Sequence, residues 1–197
     1  MRFIYYLLLA ILLFPWYSCA NSQHSHRSQY TGQEKRAIKS LSTADIKDLR
    51  NGAGWGLAKA AELNGVPGPV HLLEMKNEIS LSADQIKQIE GLYREMKSQA
   101  IPLGLELIEL ENKLNKQFAS NTITESSLKT QLEKIAQVRS QLRFVHLSAH
   151  LKTPEILSHQ QIQLYKKLRG YSSGDPCQNI PKGHDPKLWK KHNNCPQ

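Results

Sequence analysis

Aromatic residues are sparse: seven tyrosines, four phenylalanines and three tryptophans make up 7% of 197 residues. So little aromatic bulk suits a thin helical layer better than a thick globule. Cysteine is scarcer still. The three residues Cys19, Cys177 and Cys195 form no Cys-x-x-Cys pair, which removes the close-spaced frame of a structural zinc site. The apolar run from Phe3 to Phe14 is too short to span a bilayer. No serine sits in a nucleophile elbow, and no glycine-rich phosphate loop follows a strand. Gly52, Gly54 and Gly56 precede only a short helical stretch, and Glu106, Glu109 and Glu111 read as a solvated face rather than a catalytic pair. These absences exclude the common enzyme signatures, and no catalytic activity is expected.

What the chain does have is two long apolar stripes between residues 82 and 156. The first runs Ile86, Ile89, Tyr93, Met96, Ala100, Leu103, Leu107, Leu110, Leu114 and Phe118, in steps of three and four. Asn121, Thr122 and Thr124 interrupt it, and Thr124 is placed to cap a second helix. That helix carries Leu128, Leu132, Ile135, Leu142, Val145 and Ala149 on one face. At 1.5 Å per residue each arm is about 45–50 Å long. Neither arm can bury its face alone, so the two are expected to fold back on each other. The predicted fold is all-α, a long antiparallel helical hairpin with short flanking helices.

The flanks carry their own signals. Ser42-Thr43-Ala44-Asp45 resembles a capping box and predicts a short helix to about Leu49, ended by Asn51-Gly52. A second short helix is predicted over Leu57 to Leu63. Pro69 is placed as the first residue of a third, which carries His71, Leu72, Glu74 and Met75. Ser82 with Gln85 should open the first long arm as a capping box, and Pro102 should distort that arm without ending it. Pro154 should bend or end the second arm. Ser158 with Gln161 then opens a last helix, which Gly170 stops.

The N-terminus reads as an export signal. Arg2 is a short positive region, Phe3–Phe14 an apolar core, and Ser18-Cys19-Ala20 a small-residue site that predicts cleavage after Ala20. The competing reading makes Cys19 a lipidated N-terminus, although Trp16 fits a lipobox poorly. The expected organisation is thus a signal peptide over residues 1–20, a disordered polar leader with His24 and His26 over 21–41, the helical domain over 42–170, and a basic Cys-containing tail over 171–197. Cys177 and Cys195 are most simply one disulfide in an oxidising compartment. The alternative is a soft metal site with His184 and His192. The net charge of +9 favours acidic partners, but export makes nucleic acid an unexpected one.

Two Leu-Ser-x-x-Gln elements, Leu81 to Gln85 and Leu157 to Gln161, stand at the two ends of the hairpin. With the export signal, they resemble the repeated Leu-Thr-x-x-Gln signature of the Spy/CpxP superfamily of periplasmic proteins. Serine replaces threonine in both copies, which keeps the capping chemistry. The resemblance covers about residues 42–170. It implies a Spy/CpxP-like helical fold and an envelope-stress role in the periplasm. One branch comprises ATP-independent chaperones that dimerise into a cradle and hold unfolded or stress-damaged envelope proteins. Others comprise zinc-resistance-associated proteins and heavy-metal sensors with a membrane-bound signalling partner.

The chaperone role is the leading expectation, as a homodimer with no required cofactor; metal sensing or resistance is the second. A structural envelope coiled coil is the third. The metal reading rests on two i, i+4 pairs, His71 with Met75 and His146 with His150, and Glu74 as a further carboxylate. Imidazole with thioether suits nickel, cobalt or copper, and zinc is also considered. The alternative for all four residues is packing: His146 beside the apolar seam, Met75 in a core, and His150 capping carbonyls near Pro154. Basic residues such as Lys87, Arg94, Lys134 and Arg143 either attract acidic client segments or form solvated outer faces.

Overall fold

The computed structural model describes residues 27–171, Cys177, Ile180, 185–192 and Cys195. The expected signal peptide, Cys19 and its cleavage or lipidation site, His24, His26 and His184 lie outside these residues. Among the described residues no helix is long and apolar enough to cross a membrane.

Residues up to Gly32 and those from Gln33 onward are separate units. In the first, Thr31 donates its N–H and its hydroxyl to the Ser28 carbonyl, at 3.1 and 2.6 Å. The second carries the fold, which is all-α: 68% of the described residues are helical and none lies in a strand. After a 3-10 turn at Gln33–Lys35 come α1 (Thr43–Arg50), α2 (Lys59–Glu62) and α3 (Pro69–Glu74). The long helices α4 (Ala83–Ala119) and α5 (Glu125–Lys152) follow. A 3-10 turn at Thr153–Glu155 leads into α6 (His159–Leu168), and α7 (Pro186–His192) lies in the tail.

Side-chain caps set where four of these helices begin. Ser42, Ser82, Thr124 and Ser158 each accept the N–H three residues on, and each has its own backbone N–H accepted in return by Asp45, Gln85, Ser127 and Gln161. A reciprocal box satisfies two donors that a helix start otherwise leaves bare, worth about 1 kcal/mol each time. Pro69 occupies the first turn of α3, where its missing N–H costs nothing. Pro102 lies on the exposed side of α4, which runs on past it to Ala119.

α4 and α5 pack along each other. Gln131 donates to the Leu110 carbonyl at 2.9 Å and Lys152 reaches Glu95 at 3.3 Å, so rising numbers on α5 meet falling numbers on α4. The seam buries Leu92, Met96, Ala100 and Leu107 of α4 against Ile135, Val138, Leu142, Val145 and Ala149 of α5. Two stripe residues are left exposed: Phe118 and Leu132, at 53% and 47%. On α5 the buried repeat runs 131, 135, 138, 142, 145, 149, one position out of step with Leu132. Gln131 takes the inward place, and its bond to Leu110 satisfies the amide there.

α1 crosses α4 at Gly104. A Cβ on this glycine would collide with the Leu49 carbonyl oxygen, so the two backbones touch directly. A second cluster of Leu72, Ile79, Ile89, Leu157 and Tyr165 joins α3, the start of α4 and α6.

Candidate functional site

The C-terminal half of α5 places His146 and His150 one turn apart, both facing inward at 3% and 7% exposure. The segment Val66-Pro67-Gly68 crosses this end of the helix. His150 Nδ1 donates to the Val66 carbonyl at 2.9 Å, which leaves Nε2 as the lone-pair nitrogen of the neutral ring. The Thr153 hydroxyl is 2.6 Å from the Pro67 carbonyl and 3.1 Å from that of His150. Gly68 is required here, because a Cβ would lie 2.7 Å from the His150 ring. Among the described residues no hydrogen-bond partner meets His146, and its Nε2 is fully enclosed.

Burial, with the neighbouring His150 adding to it, holds the His146 imidazole below its ordinary pKa. Burial also lowers His150, against the opposing pull of the Val66 carbonyl. Both rings are therefore neutral near pH 7.

A cavity of about 280 Å³ opens beside these rings. Its walls include Glu62 of α2, His71 of α3, Tyr93 and Met96 of α4, and His146 and His150. The Gly52–Gly56 loop closes one side. Within that loop Trp55 has φ +42°, a left-handed conformation rare outside glycine. It is held there by a 2.8 Å bond from Nε1 to Asp45 and by the Arg139 guanidinium, 4.9 Å from the ring centre.

Glu62 anchors the far wall. Its Oε2 accepts from the Tyr165 hydroxyl at 2.7 Å; its Oε1 accepts from Arg169 Nε at 2.7 Å, Arg169 Nη2 at 2.6 Å and the Tyr171 hydroxyl at 3.1 Å. Burial pushes this carboxyl up, but the donors of Tyr165, Arg169 and Tyr171 outweigh it and hold the pKa below the ordinary value. Tyr165, enclosed and bonded to that carboxylate, is pushed far up.

The four residues read as metal ligands are divided. His71, His146 and His150 share the cavity wall. Met75 packs against the second cluster instead. Both ring nitrogens of His71 are occupied, Nδ1 by Glu74 at 2.9 Å and Nε2 by Arg169 at 3.5 Å. The thioether on the cavity wall belongs to Met96, which sequence spacing could not single out because it sits in the seam stripe. Among the described residues no three His, Cys, Asp or Glu side chains form a metal-holding group.

The two motif glutamines meet. Gln85 Nε2 donates to Gln161 Oε1 at 2.9 Å, and Gln161 Nε2 donates to Gln85 Oε1 at 3.0 Å. Each also reaches a backbone carbonyl of the other's neighbourhood, Ile156 and Ser80, at 2.8 and 3.3 Å. The leucines, Leu81 and Leu157, belong to the second cluster. One pair of capping residues thus also ties the start of α4 to the start of α6. In the tail, Cys177 and Cys195 are joined by a disulfide with Cα atoms 5.4 Å apart. No family model, curated protein or solved structure matches the chain.

Proposed function

We propose that this is an exported, Spy/CpxP-like helical chaperone that holds unfolded envelope proteins on its α4–α5 hairpin without nucleotide. One observation carries the reading. Phe144 and Leu151 are 70% and 72% exposed, and they flank half-buried Leu147 at i, i+3 and i+7 on one side of α5. Single exposed apolar residues are ordinary on a soluble protein, but three in helical register form a stripe with a binding capacity. Arg143 and Lys152, both exposed, lie beside it. A basic rim would draw acidic stretches of an unfolded chain toward the apolar strip. Two copies side by side would extend the strip into a cradle.

The double variant Phe144→Ser/Leu151→Ser changes only exposed side chains, so the fold should persist. Light scattering of a chemically unfolded test protein, without nucleotide or metal, checks the proposal. Wild type should suppress aggregation near stoichiometric ratio, and the variant should need several-fold more protein. Equal suppression by both proteins would remove the stripe from the account.

Metal sensing or resistance is the second reading, and its support is the His146/His150 pair. A backbone carbonyl that takes one ring N–H, as Val66 takes that of His150, orients the other nitrogen and makes it a better metal ligand. Calorimetric titration with nickel, cobalt, copper and zinc should then show stoichiometric binding that His146→Ala/His150→Ala abolishes. Weak binding that survives in the variant would assign the metal to the tails.

A further inference from the structure

We propose that the cavity beside α5 binds a small neutral aromatic molecule bearing a hydroxyl group, recognised by the ring nitrogens of His146 and His150. The inference goes beyond the client-holding reading and uses a different part of the molecule.

The size comes first. A single ion draws its ligands in around it, whereas this space of about 280 Å³ lies at the lower end of organic-ligand pockets. It has room for one or two rings. The walls are largely carbon, from the Gly52–Gly56 loop, Val70 and Met96, with the Trp55 and Tyr93 side chains among them. Trp55 is held in its left-handed conformation by Asp45 and Arg139, so this wall is fixed before any ligand arrives.

The polar groups then select the chemistry. His146 is almost wholly buried and lines the cavity; its Nε2 is enclosed, and Nδ1, the nitrogen left to meet a ligand, has no hydrogen-bond partner among the described residues. A buried imidazole without a partner is costly, and a ligand that supplies one recovers that cost. His150 commits Nδ1 to Val66 and turns toward Gly68 with Nε2 available as an acceptor. A hydroxyl both donates and accepts, so it can serve a lone pair on one ring and an N–H on the other.

Charge narrows the class further. Arg169 is committed to Glu62, and Lys59 is an exposed residue of the wall. Among the wall residues an anion therefore finds no buried arginine or lysine, and Arg169, behind the wall, is already paired. A cation fares no better, since the Glu62 carboxylate already accepts from Tyr165, Arg169 and Tyr171. A neutral phenol-like ligand meets both conditions.

The probes are 2-naphthol, naphthalene and 2-naphthoate, titrated into the full chain with a chelator present and followed by calorimetry and melting temperature. The expected result is saturable one-to-one binding of 2-naphthol that raises the melting temperature. Naphthalene and 2-naphthoate should bind at least about tenfold more weakly, the worth of one well-made hydrogen bond. His146→Leu keeps the apolar volume and should erase the preference for naphthol over naphthalene. The wild-type series stands even if that variant fails to fold. Equal binding of naphthol and naphthalene by wild type, or binding of none of the three, would overturn the proposal. A response seen only when a transition metal replaces the chelator would also overturn it and favour the metal reading.

Discussion

Glu62→Ala is expected to destabilise the fold by about 3 kcal/mol, a large effect for a polar side chain. The carboxylate is only 14% exposed and is the shared acceptor of Tyr165, Arg169 and Tyr171. Removing it leaves the fully buried Tyr165 with an unpaired hydroxyl and Arg169 with an unpaired charge. Truncation of a wholly buried ion pair costs about 3–5 kcal/mol; Arg169 is 30% exposed, so the lower end applies. For a chain of this length that corresponds to a fall in Tm of roughly 6–12 °C. Glu62→Gln retains an acceptor for the tyrosines and should lose about half as much.

The pH dependence follows from the sign of the shift. Glu62 has a folded pKa below its ordinary 4.5, so its contribution is complete above that value and is lost as pH falls through the folded pKa. Urea midpoints measured from pH 7 down to pH 3 should fall less steeply for Glu62→Gln than for wild type. Parallel curves would mean that the carboxylate is no more stabilised folded than unfolded.

Gly104→Ala is expected to destabilise by about 2 kcal/mol, although alanine is the better helix former by about 1 kcal/mol. The added methyl would strike the Leu49 carbonyl oxygen and lie 2.9 Å from its carbon, and a backbone cannot rotate away as a side chain can. α1 would have to withdraw from α4, loosening Leu49, which is 2% exposed. Gly91 in the same helix is the control: a Cβ there meets nothing within 4 Å. Gly91→Ala should therefore stabilise by up to about 1 kcal/mol. Thermal melts of the two variants should move in opposite directions, and two stabilised variants would contradict the close approach of α1 and α4.

The contrast between these glycines bears on what can be read from a sequence. Capping is local: Ser42, Ser82, Thr124 and Ser158 each announce a helix start within four residues, and each helix begins there. The all-α class follows from such signals and from the period of the stripes. Which face turns inward is less local. Hydropathy favours Leu132 over Gln131, but the repeat from Ile135 to Ala149 places the glutamine in the seam, where a carbonyl of the neighbouring helix receives it.

The candidate site was legible only in half. The i, i+4 spacing of His146 and His150 puts both on one face, and they do share a cavity. The groups that give them meaning come from far along the chain: Val66 is 84 residues from His150, and Glu62 is 103 from Tyr165. No periodicity carries information over such separations. The same is true of Met75 and Met96: one lies four residues from His71 yet packs into the second cluster, and the other lines the cavity from the seam of α4.

Photocrosslinking tests the proposed client surface most directly. A photoreactive benzoyl-phenylalanine would replace Phe144, the one phenylalanine of α5 and 70% exposed, or exposed Glu106 on α4 as the control. With a chemically unfolded test protein and no nucleotide, position 144 is predicted to crosslink to the client and position 106 to give little product. Equal crosslinking from both positions, or none from 144, would contradict the assignment of client binding to this face of α5.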